Sequence, residues 1–177
     1  MSEEALQAER TGLVQVYTGE GKGKTTAAFG LAMRAAGRGL AVKVIQFLKG
    51  RESGEVAAAR RLGIEVAQFG GPGWVDLASP SPADHERARA AFEAAREAVG
   101  AADVLILDEA NVALAAGLLQ VEEVLSLLEG RPTGVEVVLT GRGAPVALVA
   151  RADLVTEMLA IKHPYHQGVR AREGIEY

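Results

Sequence analysis

The chain contains no cysteine. Disulfide staples, thiolate metal sites and cysteine nucleophiles are thereby excluded. It also lacks an excess of basic residues: 19 Lys and Arg stand against 23 Asp and Glu, a net charge of −4 with a pI near 5.5. That balance argues against a nucleic-acid surface as its main business. No apolar run is long enough to span a bilayer, and the acidic N-terminus, Met1 to Arg10, lacks the apolar centre of a signal peptide. A cytoplasmic protein without membrane or nucleic-acid partners is therefore expected. Internal repeats are missing too, and the nearest thing to a linker is one Pro/Ser/Gly-rich stretch in mid-chain. What remains is 177 residues, about half of them apolar, enough for one domain with a core that needs no staples.

The most informative stretch is Thr18-Gly19-Glu20-Gly21-Lys22-Gly23-Lys24-Thr25-Thr26, preceded by the apolar run Leu13–Tyr17 and followed by the alanine-rich helix formers Ala27–Ala36. Strand, glycine-rich turn and helix in that order make a phosphate loop. Its backbone N–H groups converge at a helix N-terminus, where orphan donors and the macrodipole favour a polyphosphate. Gly19, Gly21, Lys22, Gly23, Lys24, Thr25 and Thr26 are the candidate nucleotide-binding residues. Lys24 is placed to reach the outer phosphates and the Thr25 hydroxyl to sit on magnesium. The pattern asks for glycine where Thr18 stands, so the loop is a variant.

A second signal is Asp103-Val104-Leu105-Ile106-Leu107-Asp108-Glu109, an apolar strand that delivers two carboxylates at its carboxyl end. Beside a phosphate loop, such acids bind magnesium directly or through water; capping of the next helix by Asp108 is the plainer alternative. Other loops are expected at the same edge of the sheet. Lys49 and Arg51 follow the strand Ala41–Leu48 and are candidates for an anion, or residues of a solvated turn. Arg142, in Gly141-Arg142-Gly143 after the strand Val135–Thr140, is a candidate for phosphate charge.

Further strands are expected at Ile64–Phe69 and near Leu154–Leu159, with helices at Glu55–Leu62, Ala83–Val99, Glu122–Leu128 and around Pro145–Ala150. Between Phe69 and the Ala83 helix lies a long Gly/Pro/Ser loop carrying Trp74, the single tryptophan. It reads either as a ligand contact or as a plug packed over the loop. His85 reads as a surface residue. His163 and His166 have a spacing a metal could use, but Pro164 breaks the helix between them and no third ligand is close in sequence. The whole is an α/β fold: an open, mainly parallel sheet with helices on both faces, of the P-loop NTPase (RecA-like) type. Residues 1–11 form an N-terminal arm and 12–177 a single domain.

The segments Gly19–Gly30, Gln46-Phe47-Leu48-Lys49-Gly50, Leu107-Asp108-Glu109, Thr140-Gly141-Arg142 and the tail from Lys162 to Tyr177 together resemble the P-loop corrinoid adenosyltransferases, also called ATP:cob(I)alamin adenosyltransferases. The resemblance implies attack by cobalt(I) of a reduced corrinoid on the 5′ carbon of ATP, with triphosphate leaving. It implies catalytic roles for Lys24, Glu109 and Arg142, and magnesium bound by Thr25 and Glu109 with Asp108 supporting the metal shell. It also implies ATP held in reversed orientation, a homodimer whose N-terminal arm closes over a corrinoid site, and a flavoprotein as electron donor. Trp74, with Phe69, would face the corrinoid; Pro72 stands where enteric members have a phenylalanine. The rival readings are a P-loop phosphohydrolase or kinase with Glu109 as base, and a nucleotide-gated corrinoid carrier.

Overall fold

In a computed structural model the described residues are 11–73 and 75–176; all but the last residue of the expected N-terminal arm, Trp74 and the tail's final Tyr177 lie outside them. Six strands form one sheet: β1 (Val14–Thr18), β2 (Val42–Gln46), β3 (Glu65–Gln68), β4 (Val104–Asp108), β5 (Glu136–Thr140) and β6 (Leu154–Glu157). Their order is β3-β2-β4-β5-β1-β6 and every pairing is parallel. The expected α/β architecture is thus present, and the sheet is parallel throughout. Parallel neighbours need crossover connections, which the helices supply: α1 (Lys24–Ala36), α2 (Gly54–Arg61), α3 (Pro82–Ala98), α4 (Ala110–Ala115), α5 (Val121–Gly130) and α6 (Val146–Arg151).

Both faces of the sheet are covered, which is why its central strands read as continuous apolar runs rather than alternations. Val104 and Ile106 of β4 pack with Val44, Val138 and the Ala28, Phe29, Ala32 side of α1. Leu105 and Leu107 point the other way, into a core with Phe47, Leu139, Leu148 and the alanine-lined side of α3. Alanine at 88, 91, 95 and 98 has the spacing that lets α3 lie close to the sheet. That helix starts with a capping box in which the Ser81 hydroxyl accepts from Asp84 N while the Asp84 carboxylate accepts from Ser81 N, and Pro82 occupies the first turn.

The edge strands differ from the centre. All four residues of β6 are exposed, and β3 is partly so. The observed boundaries fall within two residues of most of those expected. Among the described α-helices the one not foreseen is α4, six residues directly after Glu109, too short to show helical periodicity in sequence. None of the described helices is long and apolar enough to cross a membrane.

Candidate active site

The carboxyl ends of β1, β2, β4 and β5 bring the separate sequence signals into one place. After Thr18 closes β1, the phosphate loop runs beside the exit of β6, with Gly21 N donating to Met158 O at 2.6 Å. Gly19 has φ +93°, and a Cβ built there would lie 2.5 Å from Met158 O. Only glycine fits both the conformation and the gap. Thr18, the departure from the pattern, belongs to the strand: it pairs with Glu157, and its hydroxyl accepts from Ala144 N at 3.3 Å. Helix α1 then begins at Lys24 with no side-chain cap and no acid in its first turn. An N-terminus of this kind keeps its donors and its positive dipole end for an anion.

Lys24 is buried, and its ammonium donates to Gly19 O at 2.7 Å and Gly21 O at 2.6 Å. Burial lowers its pKa, reinforced by the nearby Arg142 charge. Arg142 itself is exposed and lies 3.3 Å from Glu20, which stands in the same loop. Lys22 points to the C-terminal tail, donating to Ile175 O at 3.0 Å and to Glu176 at 2.9 Å. Together the loop, the start of α1, Lys49 and the tail bound a cleft of about 360 Å³.

Behind Thr25 and Lys49, which line this cleft, the strand register builds a row of polar side chains. Gln46 pairs with Gln68 on one side and with Asp108 on the other, and Thr140 comes one place after Leu139, the partner of Leu107, beside Asp108. Residues paired in register on a parallel sheet point to the same face. Here that face lies under α1. Gln68 donates to Gln46 Oε1 at 2.9 Å, and Gln46 donates to Asp108 Oδ2 at 2.9 Å. The Thr140 hydroxyl donates to Asp108 Oδ1 at 2.6 Å. Thr25 adds a bond to Oδ1 at 2.9 Å and Lys49 one to Oδ2 at 2.9 Å. A carboxylate offers about four acceptor positions. Asp108, with no exposed surface, fills them all within the protein. The capping alternative for it is not what the structure shows, since Glu109 holds the cap position of α4.

Glu109 is turned out of this row by a left-handed backbone, φ +61°, anchored by donation of its N–H to Thr140 Oγ1 at 3.1 Å. Such a conformation in a non-glycine residue is costly and clusters at functional sites. Burial raises the Glu109 pKa, and the neighbouring Asp108 charge raises it further against the pull of Lys49, Lys24 and Arg142. Lys49 is moved the other way by competing causes: burial lowers its pKa, but the charge and hydrogen bond of Asp108 outweigh that and leave it raised.

Lys24, Thr25, Asp108, Glu109 and Arg142 are therefore neighbours. Phe69 is half-buried against the hydrophobic core, and Trp74 is outside the described residues. His163 and His166 stack edge to face at 6.0 Å between ring centres. Among the described residues no group of three His, Asp or Glu side chains forms a metal cage by itself. Sequence reasoning did not single out Gln46, Thr140 or Asn111 as site residues. Asn111 is fully buried and its amide donates to Tyr17 O at 3.3 Å and Gly141 O at 3.2 Å, tying the ends of β1 and β5. The available signal was a polar residue at the carboxyl end of a mainly apolar strand, at Gln46 and Thr140 alike.

Parallel strands, a glycine loop entering a helix and acids at the end of a nearby strand define a P-loop nucleotide-binding protein. Residues 10–177 match the family described as ATP:corrinoid adenosyltransferase BtuR/CobO/CobP. The chain is 39% identical over its whole length to a corrinoid adenosyltransferase of Pseudomonas aeruginosa, covering 90% of that protein. It is 38% identical to the corrinoid adenosyltransferase CobA of Salmonella typhimurium and to a corrinoid adenosyltransferase of Escherichia coli K12, in each case over 98% of this chain and 89% of the relative. It belongs to the ATP:corrinoid adenosyltransferase family.

Proposed function

We propose that this enzyme transfers the 5′-deoxyadenosyl group of ATP to the cobalt of a reduced corrinoid, cob(I)alamin or a precursor, in adenosylcobalamin formation. The cobalt(I) electron pair forms the Co–C5′ bond while the C5′–O bond breaks, and triphosphate departs with the pair of that C5′–O bond. Because the substrate carries the nucleophile, the protein need not activate a Ser, Cys or His. Its tasks are to hold the two substrates in line, to exclude water and to stabilise charge on the leaving group. The observation that carries this reading is the cleft itself: Lys24, Lys22 and an uncapped helix N-terminus crowd one end of it, an arrangement suited to a departing polyphosphate.

Magnesium fits the donors present. The Thr25 hydroxyl and the Asp108 and Glu109 carboxylates are hard oxygen ligands of the kind that bind this ion together with phosphates rather than as a complete cage. Once bound it would neutralise triphosphate charge. Lys24 and the loop amides would grip the triphosphate, with Arg142 closing from the β5 side after release from Glu20. Homodimer assembly, electron delivery by a flavoprotein and corrinoid contacts from Trp74 and Phe69 rest on the family resemblance and form part of the same proposal, as does the cytoplasmic location expected from the sequence.

The test is anaerobic incubation with ATP, magnesium and chemically reduced corrinoid, following both the visible spectrum and the phosphate products. An alkylcobalt spectrum with stoichiometric triphosphate is expected. ADP with inorganic phosphate would mean a phosphohydrolase or kinase. Binding of corrinoid without a new cobalt–carbon bond would mean a carrier.

A further inference from the structure

The Lys49 ammonium lies 2.9 Å from Asp108 Oδ2 and 3.0 Å from Thr25 Oγ1. Those are the two side chains that, with Glu109, form the candidate magnesium position. An ammonium in contact with both takes the Thr25 lone pair and the Asp108 oxygen that a divalent cation would need. Among the described residues it is also the one cation bonded to the buried Asp108 carboxylate: the other three donors, Gln46, Thr25 and Thr140, are neutral.

We propose that Lys49 is an exchangeable internal cation for this site, and that its ammonium and the divalent metal occupy the Thr25–Asp108 position alternately. Three features support it. Asp108 has no exposed surface, so leaving its carboxylate without a cation would be strongly unfavourable, and some positive charge must be present throughout the cycle. The Lys49 side chain is about a third exposed and faces the cleft, so it can leave without dismantling the core. Its stem is flexible and its head a compact point charge, which suits movement between two stations better than an arginine fork would. On displacement the ammonium remains in the cleft shared with Lys22, Lys24 and Thr26, where it meets the triphosphate. The metal that accompanies ATP thus exchanges one buried charge pair for another and turns Lys49 from a partner of Asp108 into a ligand of the leaving group.

This inference rests on the metal reading above, and the experiment separates the two. Mn²⁺ binding is titrated by electron paramagnetic resonance, without nucleotide and with ATP, in the wild-type protein and in Lys49→Met, Lys49→Gln and Lys49→Arg. If the ammonium holds the position most of the time, its removal should tighten nucleotide-free Mn²⁺ binding about tenfold or more, because apparent affinity scales with the fraction of the site that is open. Lys49→Met and Lys49→Gln are expected to show this; Lys49→Arg is expected to stay as weak as wild type. Thermal unfolding gives a second readout, in which Mn²⁺ raises the melting temperature of Lys49→Met far more than that of wild type. Lys49→Gln keeps a donor to Asp108 and serves if the methionine variant does not fold. Unchanged or weaker Mn²⁺ affinity in both neutral variants overturns the exchange while leaving the metal site standing. No Mn²⁺ binding in any protein, even with ATP, overturns the metal reading and this inference together.

Discussion

The Lys22 ammonium sits 2.9 Å from the Glu176 carboxylate although 154 positions separate them. The C-terminal tail is thereby fastened to the phosphate loop and forms one wall of the cleft. Glu176 also accepts from the Arg172 backbone at 2.8 Å and from its guanidinium at 3.0 Å. Its pKa is held down to about 2 by the hydrogen bonds from Arg172 and Lys22. A depressed carboxylate contributes fully above the ordinary carboxylate range and loses its contribution as pH falls toward that value. The latch is therefore closed throughout the physiological range and is weakened by salt. Glu176→Gln is expected to raise KM for ATP by a few-fold and to remove most of its dependence on ionic strength, measured by initial rates across a salt series.

Lys24→Ala is expected to reduce turnover by at least about a hundredfold, the scale of losing a charge aimed at a developing anion. Its ammonium also gathers the carbonyls of Gly19 and Gly21, so the loop amides lose their alignment as well. Release of triphosphate under anaerobic conditions is the measurement. Near-normal rates would sink the assignment of this loop to the leaving group.

Asp108→Ala removes the acceptor for four donors at once, from Thr25, Gln46, Lys49 and Thr140. Breaking a buried charged network from one side costs about 3–5 kcal/mol. Urea unfolding is expected to show a midpoint lowered to match, with an unchanged slope. A loss below about 1 kcal/mol would mean that the network is solvated and the carboxylate contributes little to stability.

Glu109 titrates in the opposite sense to Glu176. Its pKa is raised by burial and by Asp108, so the folded protein holds this proton more tightly than the unfolded chain does. Stability from this group is complete below the ordinary glutamate pKa and is lost as pH rises through the raised value. Glu109→Gln is expected to flatten that decline and raise the melting temperature at pH 8, while greatly reducing metal-dependent turnover. Thermal scans between pH 4 and 8 on both proteins test the first part. A wild-type curve parallel to that of the variant would refute it.

Gly50 and Gly70 pass so closely that a Cβ on Gly50 would lie 2.3 Å from Gly70 O. Gly70 N also donates to Lys49 O at 3.1 Å, and the Arg51 guanidinium to Pro72 O at 3.1 Å. The loop after β2, which carries Lys49, is thus bound to the loop that leads to Trp74. Gly50→Ala is expected to push the two apart at about 1–3 kcal/mol in stability. It should impair reaction with cobalt(II) corrinoid more than with corrinoid already reduced to cobalt(I), as should Trp74→Ala. Equal loss on both substrates would mark the loop as a general binding contact.

Much of this was readable from the residues. Gly23-Lys24-Thr25 between an apolar strand and an alanine-rich helix specifies a phosphate-binding turn, because the spacing itself places N–H donors at a helix start. Asp108 and Glu109 after four apolar residues specify acids at a strand end. The polar row from Gln68 through Gln46 and Asp108 to Thr140 was not readable. Each is the polar residue at the carboxyl end of its strand, and only the register across β3, β2, β4 and β5 places their side chains in contact. The same holds for Lys49: position in the chain put it at the right edge of the sheet, but not on Asp108 and Thr25.

The sequence by itself determined the class of fold and the presence of a polyphosphate site, since both follow from local periodicity and from glycine, lysine and carboxylate at short spacings. Tertiary structure decided how charge is apportioned inside that site. Which cation meets Asp108, how Glu109 is turned away from it and why Lys22 faces the tail depend on contacts between residues dozens of positions apart, and such contacts exist only after the strands have chosen their neighbours.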